Sequence, residues 1–332
     1  MRQVRIHGPE DVRVDEVPAP TPGPRDVVVR VAACGICGTD VTYTKHGGVM
    51  GPTREPMPLG HEISGIVSAI GRDVRGISEG SRVVVHPGGQ IGNGANEGGL
   101  CDSLLVRDAA DGGRIFAIPD DLPLDIAALA EPLGVGMHGV EQADITAGDT
   151  VAIFGAGPIG LCALAAALDR GVTNVAVVDL SPARLEITRK LGASVTINAT
   201  DTDVWKALAE AHGTSPVLGM PMTATDAYIE ASGAPKVIGD IINRAKAHAR
   251  LSVVALHHEA TPVSFLVVLF KELTIRGSME YPQDFGTTID LLRRRDLSPM
   301  ISHRFDLEEF PAAMQAMRDR DGAKVLVTAD DQ

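Results

Sequence analysis

The chain has 332 residues, of which 44% are hydrophobic and 22% are charged, so we expect a folded protein with two domains of ordinary size. Its net charge of −13 argues against nucleic acid or an anionic membrane surface as a partner, because both attract basic surfaces. The four cysteines are too few for a secreted disulfide framework, and the N-terminus has no apolar signal-peptide core. These features predict a cytoplasmic protein.

The first hundred or so residues predict a mostly β region made of short strands and turns. A stiff connector, Pro18-Ala-Pro-Thr-Pro-Gly-Pro24, cannot be part of a central strand. Residues 87–99 are rich in glycine and predict a loop, which we interpret as a trimmed surface connection rather than a mobile cleft edge. The predicted strands of this region are 2–6, 12–17, 27–33, 62–70 and 82–86.

From about Ala127 the pattern changes to alternating strands and helices, which predicts a doubly wound parallel sheet. Residues 151–168 carry no charge, but glycines and a proline near their start divide them into a strand and a helix rather than a membrane span. Residues 217–222 predict a packed loop. The predicted strands are 150–154, 174–179, 195–197, 227–230 and 250–256, and the predicted helices are 158–169, 182–191, 205–211 and 237–247.

The remaining residues are too few for a third domain. They predict helices at 285–295 and 311–318 and a last strand at 323–328. We therefore expect the chain to return and complete the first domain.

The segment Cys34-Gly-Ile-Cys-Gly-Thr-Asp40 follows a predicted strand and is interpreted as a glycine-loosened turn. Taken alone, the segment fits a zinc knuckle poorly and a redox motif weakly, and two small packed side chains explain it as well as the functional interpretations together. Gly60-His61-Glu62 changes this balance, because Cys37, His61 and Glu62 would offer sulfur, nitrogen and oxygen to one ion and leave a coordination position open.

Two neighbours of Cys37 then gain candidate roles. The hydroxyl of Thr39 can accept or pass a proton beside the metal, and the carboxylate of Asp40 can orient the histidine from its other ring nitrogen.

The segment Gly155-Ala-Gly-Pro-Ile-Gly160 fits G-x-G-x-x-G and lies between a predicted strand and a predicted helix. Gly155 permits the tight turn, Gly157 lets the backbone approach a pyrophosphate, and Gly160 lets helix and strand pack closely. Pro158 and Ile159 open the helix, whose N–H groups favour an anion.

Asp179 ends the next strand, 19 residues after Gly160, where its carboxylate would bind both hydroxyls of the adenosine ribose. A 2′-phosphate would meet that negative charge, so NAD is favoured over NADP. Arg184 could neutralise such a phosphate, although a solvated helix face is its alternative role.

With Cys37-Gly-Thr-Asp40, Gly60-His-Glu62, Glu131-Pro-Leu133 and the glycine fingerprint in this order, the chain resembles the zinc-dependent medium-chain alcohol dehydrogenases over nearly its whole length. Within them it is most similar to the polyol and butanediol dehydrogenase branch, through Ala130-Glu-Pro-Leu133, Lys271-Glu-Leu-Thr-Ile-Arg-Gly-Ser278 and Tyr281-Pro-Gln-Asp-Phe285.

The resemblance implies an α/β chain of two domains. A GroES-like β-barrel catalytic domain would comprise residues 1–132 and be completed by 281–332, and a Rossmann NAD-binding domain would comprise 133–280. The resemblance also implies a homodimer or homotetramer.

The resemblance extends to individual residues. Cys37 and His61 match zinc ligands, Glu62 matches a carboxylate that binds the metal or withdraws, and Glu131 matches a glutamate that reaches the metal directly or through water. Tyr43, His46 and Tyr281 are candidates for the substrate pocket.

Three departures from the family pattern refine these expectations. The loop after His86 lacks the four cysteines that hold a structural zinc in many members, so we expect one zinc per chain. Thr42 replaces a histidine that often ends a proton relay, and Glu280 replaces the arginine that precedes the equivalent of Tyr281 in sorbitol dehydrogenases.

The hypothesis for function is a zinc-dependent NAD oxidoreductase that interconverts a secondary alcohol, such as a vicinal diol or polyol, and its ketone. Thr39 would take the hydroxyl proton as hydride passes to nicotinamide. Two alternatives remain open: a metal-free NAD(P)H reductase of the same shape, and a non-catalytic NAD-binding protein. His257 and His258 follow a strand near the expected cofactor site and are predicted to be solvated.

Overall fold

The computed structural model describes residues 1–319 and 322–329. The chain forms two compact units. The first contains 1–131, 285–294 and the described residues from Ile301 onward, and the second contains 132–284 and 295–300. The division predicted from the sequence differs from these units by a few residues at each boundary, and it differs at 295–300, which lie in the second unit rather than the first.

The first unit begins with short strands, as its alternating apolar pattern predicts. Its elements up to the first long helix are β1 (Arg2–Gly8), β2 (Asp11–Glu16), β3 (Val27–Gly35), α1 (Gly38–His46), β4 (Met57–Pro58), β5 (Glu62–Ile70), β6 (Arg82–Val85), β7 (Ser103–Val106), β8 (Ile115–Ala117) and α2 (Leu124–Ala127).

The second unit contains the alternating elements. They are α3 (Ala130–Gln142, beginning in the first unit), β9 (Thr150–Phe154), α4 (Pro158–Asp169), β10 (Asn174–Asp179), α5 (Pro182–Leu191), β11 (Val195–Asn198), α6 (Val204–His212), β12 (Thr214–Val217), β13 (Met220–Thr223), β14 (Ala227–Glu230), α7 (Pro235–Arg244), β15 (Arg250–Val253), α8 (Phe265–Lys271) and β16 (Thr274–Gly277).

The last part of the chain returns to the first unit, as predicted. It adds α9 (Thr287–Arg294), β17 (Ile301–Phe305), α10 (Phe310–Asp319) and β18 (Lys324–Thr328). The sheet order there is β17-β18-β3-β5-β6-β8, with β7 also paired to β3. Because β18 pairs with β3, the carboxyl-terminal strand lies beside the segment that leads to Cys37.

The second unit has a six-stranded sheet in the order β11-β10-β9-β14-β15-β16. All five of its strand pairs are parallel, which confirms the predicted doubly wound sheet. Strands β9, β10 and β14 are almost continuously buried because helices cover both faces of the sheet there, and α4 is buried from Gly160 through Ala167 for the same reason. Ligands of such sheets bind outside the carboxyl ends of the strands, next to β9.

Several local predictions were wrong. Residues 217–222 are not a packed loop but the turn and flanks of the hairpin β12-β13, in which Leu218 and Gly219 both have positive φ, of 49° and 77°. Two central residues with positive φ are typical of a tight hairpin turn. The turn predicted at Cys34–Asp40 instead joins β3 to a helix, α1. Among the described residues, no helix is long and apolar enough to span a membrane.

His212, the last residue of α6, is 91% buried, with 9% of its surface exposed. Its Nδ1 lies 2.7 Å from the hydroxyl of Thr225, and its buried Nε2 has no hydrogen-bond partner among the described residues. Burial lowers the pKa of His212 to about 4, against a small opposing effect of Asp226. The folded protein therefore holds this imidazole neutral.

Between pH 6.5 and 4 the unfolded chain binds a proton at His212 that the folded chain does not, so stability falls as the pH falls. We expect the wild type to lose about 2–3 kcal/mol more than His212→Asn between pH 7 and 4.5. Denaturant unfolding of both proteins at each pH measures this, with the exposed His248→Asn as control. Equal losses in wild type and His212→Asn would contradict the assignment.

Candidate active site

Cys37 is placed by a strand-to-helix junction. It is the N-cap residue of α1, in an extended conformation, directly after the buried Ile36. The carboxylate of Asp40 accepts a hydrogen bond from the backbone N–H of Cys37 at 2.8 Å, which fixes the direction in which the helix leaves the strand. Asp40 is fully buried, and its second oxygen, Oδ1, lies 3.8 Å from His61 Nδ1.

His61 and Glu62 are placed by the start of β5. The preceding Gly60 has φ of 93°, and a side chain there would collide with Leu100 and with the sulfur of Cys34. Gly92 packs its backbone directly on Gly60. The glycine-rich segment 87–99 is therefore not the surface connection predicted from the sequence, because part of it supports the residue before His61.

One Sγ, one ring nitrogen and one carboxylate oxygen, from Cys37, His61 and Glu62, all lie within 4.8 Å of one another. Among the described residues this is the one group of three or more such side chains close enough to share an ion. His61 and Glu62 are buried, whereas Cys37 is partly exposed. The donor set matches that of zinc, and the exposed side leaves space for a further ligand.

Three buried polar atoms at this cluster have no hydrogen-bond partner among the described residues: Thr39 Oγ1, Asp40 Oδ1 and His61 Nδ1. Burial lowers the pKa of His61, but the nearby Asp40 and Cys37 outweigh it, so the pKa is well above its usual range. Burial also raises the pKa of Asp40. Such a concentration of unpaired polar atoms and anionic groups fits residues that bind a cation.

Lys324 is a residue of this cluster that sequence reasoning missed. Its Nζ lies 2.6 Å from both carboxylate oxygens of Glu62 and 3.2 Å from the carbonyl oxygen of Ile36. Lys324 and Glu62 are each only 1% exposed. Burial lowers the pKa of Lys324, but Glu62 and other anionic groups raise it above its usual value. A lone lysine directly before the apolar run Val325-Leu-Val327, at the start of β18, was the available signal.

Gly35 explains how the Glu62 carboxylate fits beside β3. A Cβ at Gly35 would lie 1.8 Å from Glu62 Oε2, so only glycine leaves room for the carboxylate.

Glu131 lies in the first turn of α3 and is buried. It is outside the group of three, yet its charge raises the pKa of both His61 and Lys324, which places it near the cluster. Thr42 is different, because its hydroxyl bonds to the carbonyl of Gly38 in its own helix.

The three candidates for the substrate pocket have different surroundings. The hydroxyl of Tyr43 donates to Asn93 Oδ1 at 3.1 Å, which ties α1 to the glycine-rich segment. His46 lies exposed in the last turn of α1. Tyr281 is partly buried and belongs to the second unit.

Two other thiols are buried rather than available as thiolates. Burial raises the pKa of Cys34 well above its usual value and that of Cys101 to about 12. Cys34 therefore packs as a neutral side chain although it belongs to the same Cys-x-x-Cys as Cys37, which disfavours a redox pair.

The glycine fingerprint lies in the turn between β9 and α4. Gly155 has φ of 101°, and a Cβ there would lie 2.8 Å from the Ala231 backbone. A Cβ at Gly160 would lie 1.8 Å from the carbonyl oxygen of Gly155, so helix and turn could not pack as closely. Gly157 is the N-cap of α4, followed by Pro158 and Ile159, and space beside it is open toward the guanidinium of Arg184.

Asp179 lies against this turn at the end of β10. Its Oδ2 accepts the N–H of Ala156 at 2.6 Å, and its Oδ1 accepts the N–H of Ser181 at 2.8 Å. Each carboxylate oxygen can accept a further hydrogen bond. The turn therefore offers glycine backbone, a helix N-terminus, a carboxylate and the guanidinium of Arg184, which fit a dinucleotide.

The comparisons with known proteins agree with this geometry. A sequence profile described as alcohol dehydrogenase GroES-like domain matches residues 23–120, and one described as zinc-binding dehydrogenase matches 158–294. Sorbitol dehydrogenase of Bos taurus is 31% identical over 98% of this chain and 95% of its own length.

Two solved structures extend the similarity to the fold. The 2R,3R-butanediol dehydrogenase from Bacillus subtilis is 26% identical with a TM-score of 0.88, and 99% of each chain is covered. A protein of Sinorhizobium meliloti 1021 bound to NADP is 30% identical, with the same TM-score and coverage. These matches confirm the predicted GroES-like and Rossmann fold class and the need for zinc and a nicotinamide cofactor. The chain therefore belongs to the zinc-dependent medium-chain alcohol dehydrogenases, which interconvert alcohols and carbonyl compounds by hydride transfer.

Proposed function

We propose that the chain is an NAD-dependent dehydrogenase of vicinal diols or polyols, with one catalytic zinc held by Cys37, His61 and either Glu62 or Glu131. The observation that carries the proposal is the convergence of Cys37, His61 and Glu62 within 4.8 Å. When bound, zinc supplies a Lewis acid that favours loss of the alcohol proton, and the nicotinamide supplies the hydride acceptor. A metal-free reductase or a non-catalytic NAD-binding protein would not need this cluster.

The residues around the cluster have different proposed roles, in positioning the ligands and in accepting the substrate proton. Asp40 holds the Cys37 backbone with one oxygen and faces His61 with the other, so it positions both ligands. Thr39 has a buried hydroxyl without a partner among the described residues, and it is the group that accepts the substrate proton. Because Thr42 bonds to its own helix, the outer part of the proton path uses other groups.

Lys324 competes with the metal for Glu62. With both carboxylate oxygens 2.6 Å from Nζ, Glu62 is neutralised by an ammonium group and is not an independent anion. Movement of Glu62 toward the metal would leave Lys324 bonded to the Ile36 carbonyl. We infer that zinc and Lys324 share this carboxylate.

The proposal of one zinc per chain rests on the cysteines. Among the described residues, Cys37 is the one cysteine within a metal-binding group, and 87–99 contain no cysteine. The proposal of NAD rests on Asp179, whose charge lies at the glycine turn, although Arg184 lies beside Gly157.

The substrate proposal rests on the relatives named sorbitol and butanediol dehydrogenase. Tyr43, His46 and Tyr281 remain candidates for the pocket. Glu280, with φ of 64°, stands where sorbitol dehydrogenases have an arginine, so a polyol would be held differently here. A screen of vicinal diols, sugar alcohols, simple secondary alcohols and threonine with NAD tests the substrate class, and activity confined to simple alcohols would contradict it.

A homodimer or homotetramer is proposed because the second unit has an exposed apolar surface beside an edge strand. All residues of β16 are exposed, and among the described residues it pairs only with β15. Apolar patches and unpaired edges of this kind commonly mark interfaces. Sedimentation equilibrium tests this, and a monomer at micromolar concentration would contradict it. The exposed apolar side chains are Phe265, Leu266, Leu269, Phe270 and Met279.

Replacing Cys37 with serine should abolish bound zinc and turnover, because the hydroxyl is a far weaker zinc ligand than a thiolate. The affinity for NAD should stay near that of wild type, since the glycine turn lies in the second unit. Metal analysis and NADH fluorescence titration measure both properties. Cys101→Ala, which removes a buried thiol outside the cluster, should keep its zinc. Unchanged turnover in Cys37→Ser would refute the metal assignment.

Replacing Lys324 with methionine should destabilise the zinc-free protein by about 3–5 kcal/mol, because Glu62 is left as an unpaired buried charge. The double variant Lys324→Met/Glu62→Gln should recover most of that loss. Zinc should raise the melting temperature of Lys324→Met more than that of wild type, since Glu62 is then free to bind it. Thermal unfolding with and without zinc measures these effects, and additive losses in the double variant would argue against the pairing.

Replacing Asp179 with serine should lower the preference for NAD over NADP at least about tenfold, which corresponds to ~1.4 kcal/mol. The carboxylate that repels a 2′-phosphate is then absent, while Arg184 remains. Ratios of kcat/KM for the two cofactors measure the change. Asp201→Ser, in the exposed loop after the next strand, is the control. An unchanged ratio would show that another group selects the cofactor.

A further inference from the structure

A second histidine–carboxylate pair, with a fully buried carboxylate and a largely buried imidazole, lies at the carboxyl edge of the parallel sheet, in the second unit. Glu230 ends β14, and His257 follows the end of the neighbouring β15. The loop after Glu230 and the loop that contains His257 lie against each other: a Cβ added at Gly233 would be 3.3 Å from the carbonyl oxygen of Leu256. The loop after Glu230 also forms one wall of the glycine turn, through the close approach of Gly155 to Ala231 and Ser232.

The carboxylate of Glu230 is completely buried, and one of its two oxygens, Oε1, accepts three hydrogen bonds. Its Oε1 accepts hydrogen bonds from the backbone N–H groups of Ser232 at 2.9 Å and Gly233 at 3.0 Å, and from the Ser232 hydroxyl. Its Oε2 lies 2.7 Å from His257 Nε2. Since a buried carboxylate needs hydrogen-bond donors, Glu230 holds both its own loop and the imidazole in place.

This pairing corrects the sequence expectation that His257 is solvated, because only 12% of its side chain is exposed. Its neighbour His258 is exposed. In the neutral tautomer that donates its Nε2 proton to Glu230, the other ring nitrogen, Nδ1, carries a lone pair. Nδ1 is buried and has no partner among the described residues.

The position of the Glu230–His257 pair in the sheet determines which half of the dinucleotide it can contact. In doubly wound sheets the dinucleotide crosses the sheet edge, one half on each side of the central strand. Asp179 lies on the β10 side of β9, the proposed side of the adenosine ribose, whereas β14 and β15 lie on the opposite side. The pair therefore lies on the side of the other nucleotide half.

We propose that His257 is a cofactor-positioning residue, whose Nδ1 accepts a hydrogen bond from an O–H or N–H group of the nicotinamide half of the dinucleotide, with Glu230 fixing the imidazole. This rests on the proposed function only in requiring a nicotinamide dinucleotide at the glycine turn. An imidazole that merely covers Glu230 would stabilise the loop without distinguishing one half of the ligand from the other.

The test compares two ligands that share the adenosine and diphosphate groups. NADH has the nicotinamide half, and ADP does not. His257→Ala should raise the Kd for NADH about tenfold and leave the Kd for ADP within twofold of wild type, since one hydrogen bond left unmade costs about that much. Fluorescence titration measures NADH, and calorimetry measures ADP. His258→Ala, at the exposed neighbour, should change neither value.

Two results would overturn the inference: an unchanged Kd for NADH, or equal weakening of NADH and ADP. If His257→Ala does not fold, Glu230→Gln/His257→Ala leaves no buried charge without its partner and should show the same selective loss. Failure of the proposed function is a separate result, because then the wild type itself would not bind NADH.

Discussion

The structure of the first unit depends on burying several anionic groups at one junction between strands. Asp40, Glu62 and Glu131 are all buried around Cys37 and His61, and the buried ammonium group of Lys324 interacts with Glu62 and Glu131. Such a site is stable only if positive charge compensates it. In the proposed site a zinc ion would supply part of that compensation, and Lys324 already pairs with Glu62.

The same principle organises the second unit with different groups. At the carboxyl edge of its sheet, Asp179 and Glu230 each accept hydrogen bonds from backbone N–H groups of the loop that comes next in the chain. Each carboxylate thereby fixes a loop and keeps capacity for one more polar partner. Asp179 reaches across to the glycine turn, and Glu230 reaches across to His257. These hydrogen bonds hold the loops at this edge of the sheet in place.

Features that depend on neighbouring residues were predictable from the sequence, whereas contacts between residues far apart in the chain were not. The strands and helices around Gly155 and Asp179 agree closely with prediction, because local hydrophobic periodicity and turn residues specify them. Pairs such as Lys324 with Glu62 join residues 262 positions apart and leave no local pattern. The hairpin at 217–222 was missed because Leu218 is a rare residue at positive φ. The clustering of Cys37, His61 and Glu62 was accessible to prediction because the chemistry of these side chains, rather than their spacing, is distinctive.

The most direct test of the central claim is X-ray absorption at the zinc edge of the purified protein. We expect one zinc per chain with a single sulfur ligand at about 2.3 Å and the remaining ligands, nitrogen and oxygen, at about 2.0–2.2 Å. A spectrum with four sulfur ligands, or a protein that is active without zinc, would contradict it.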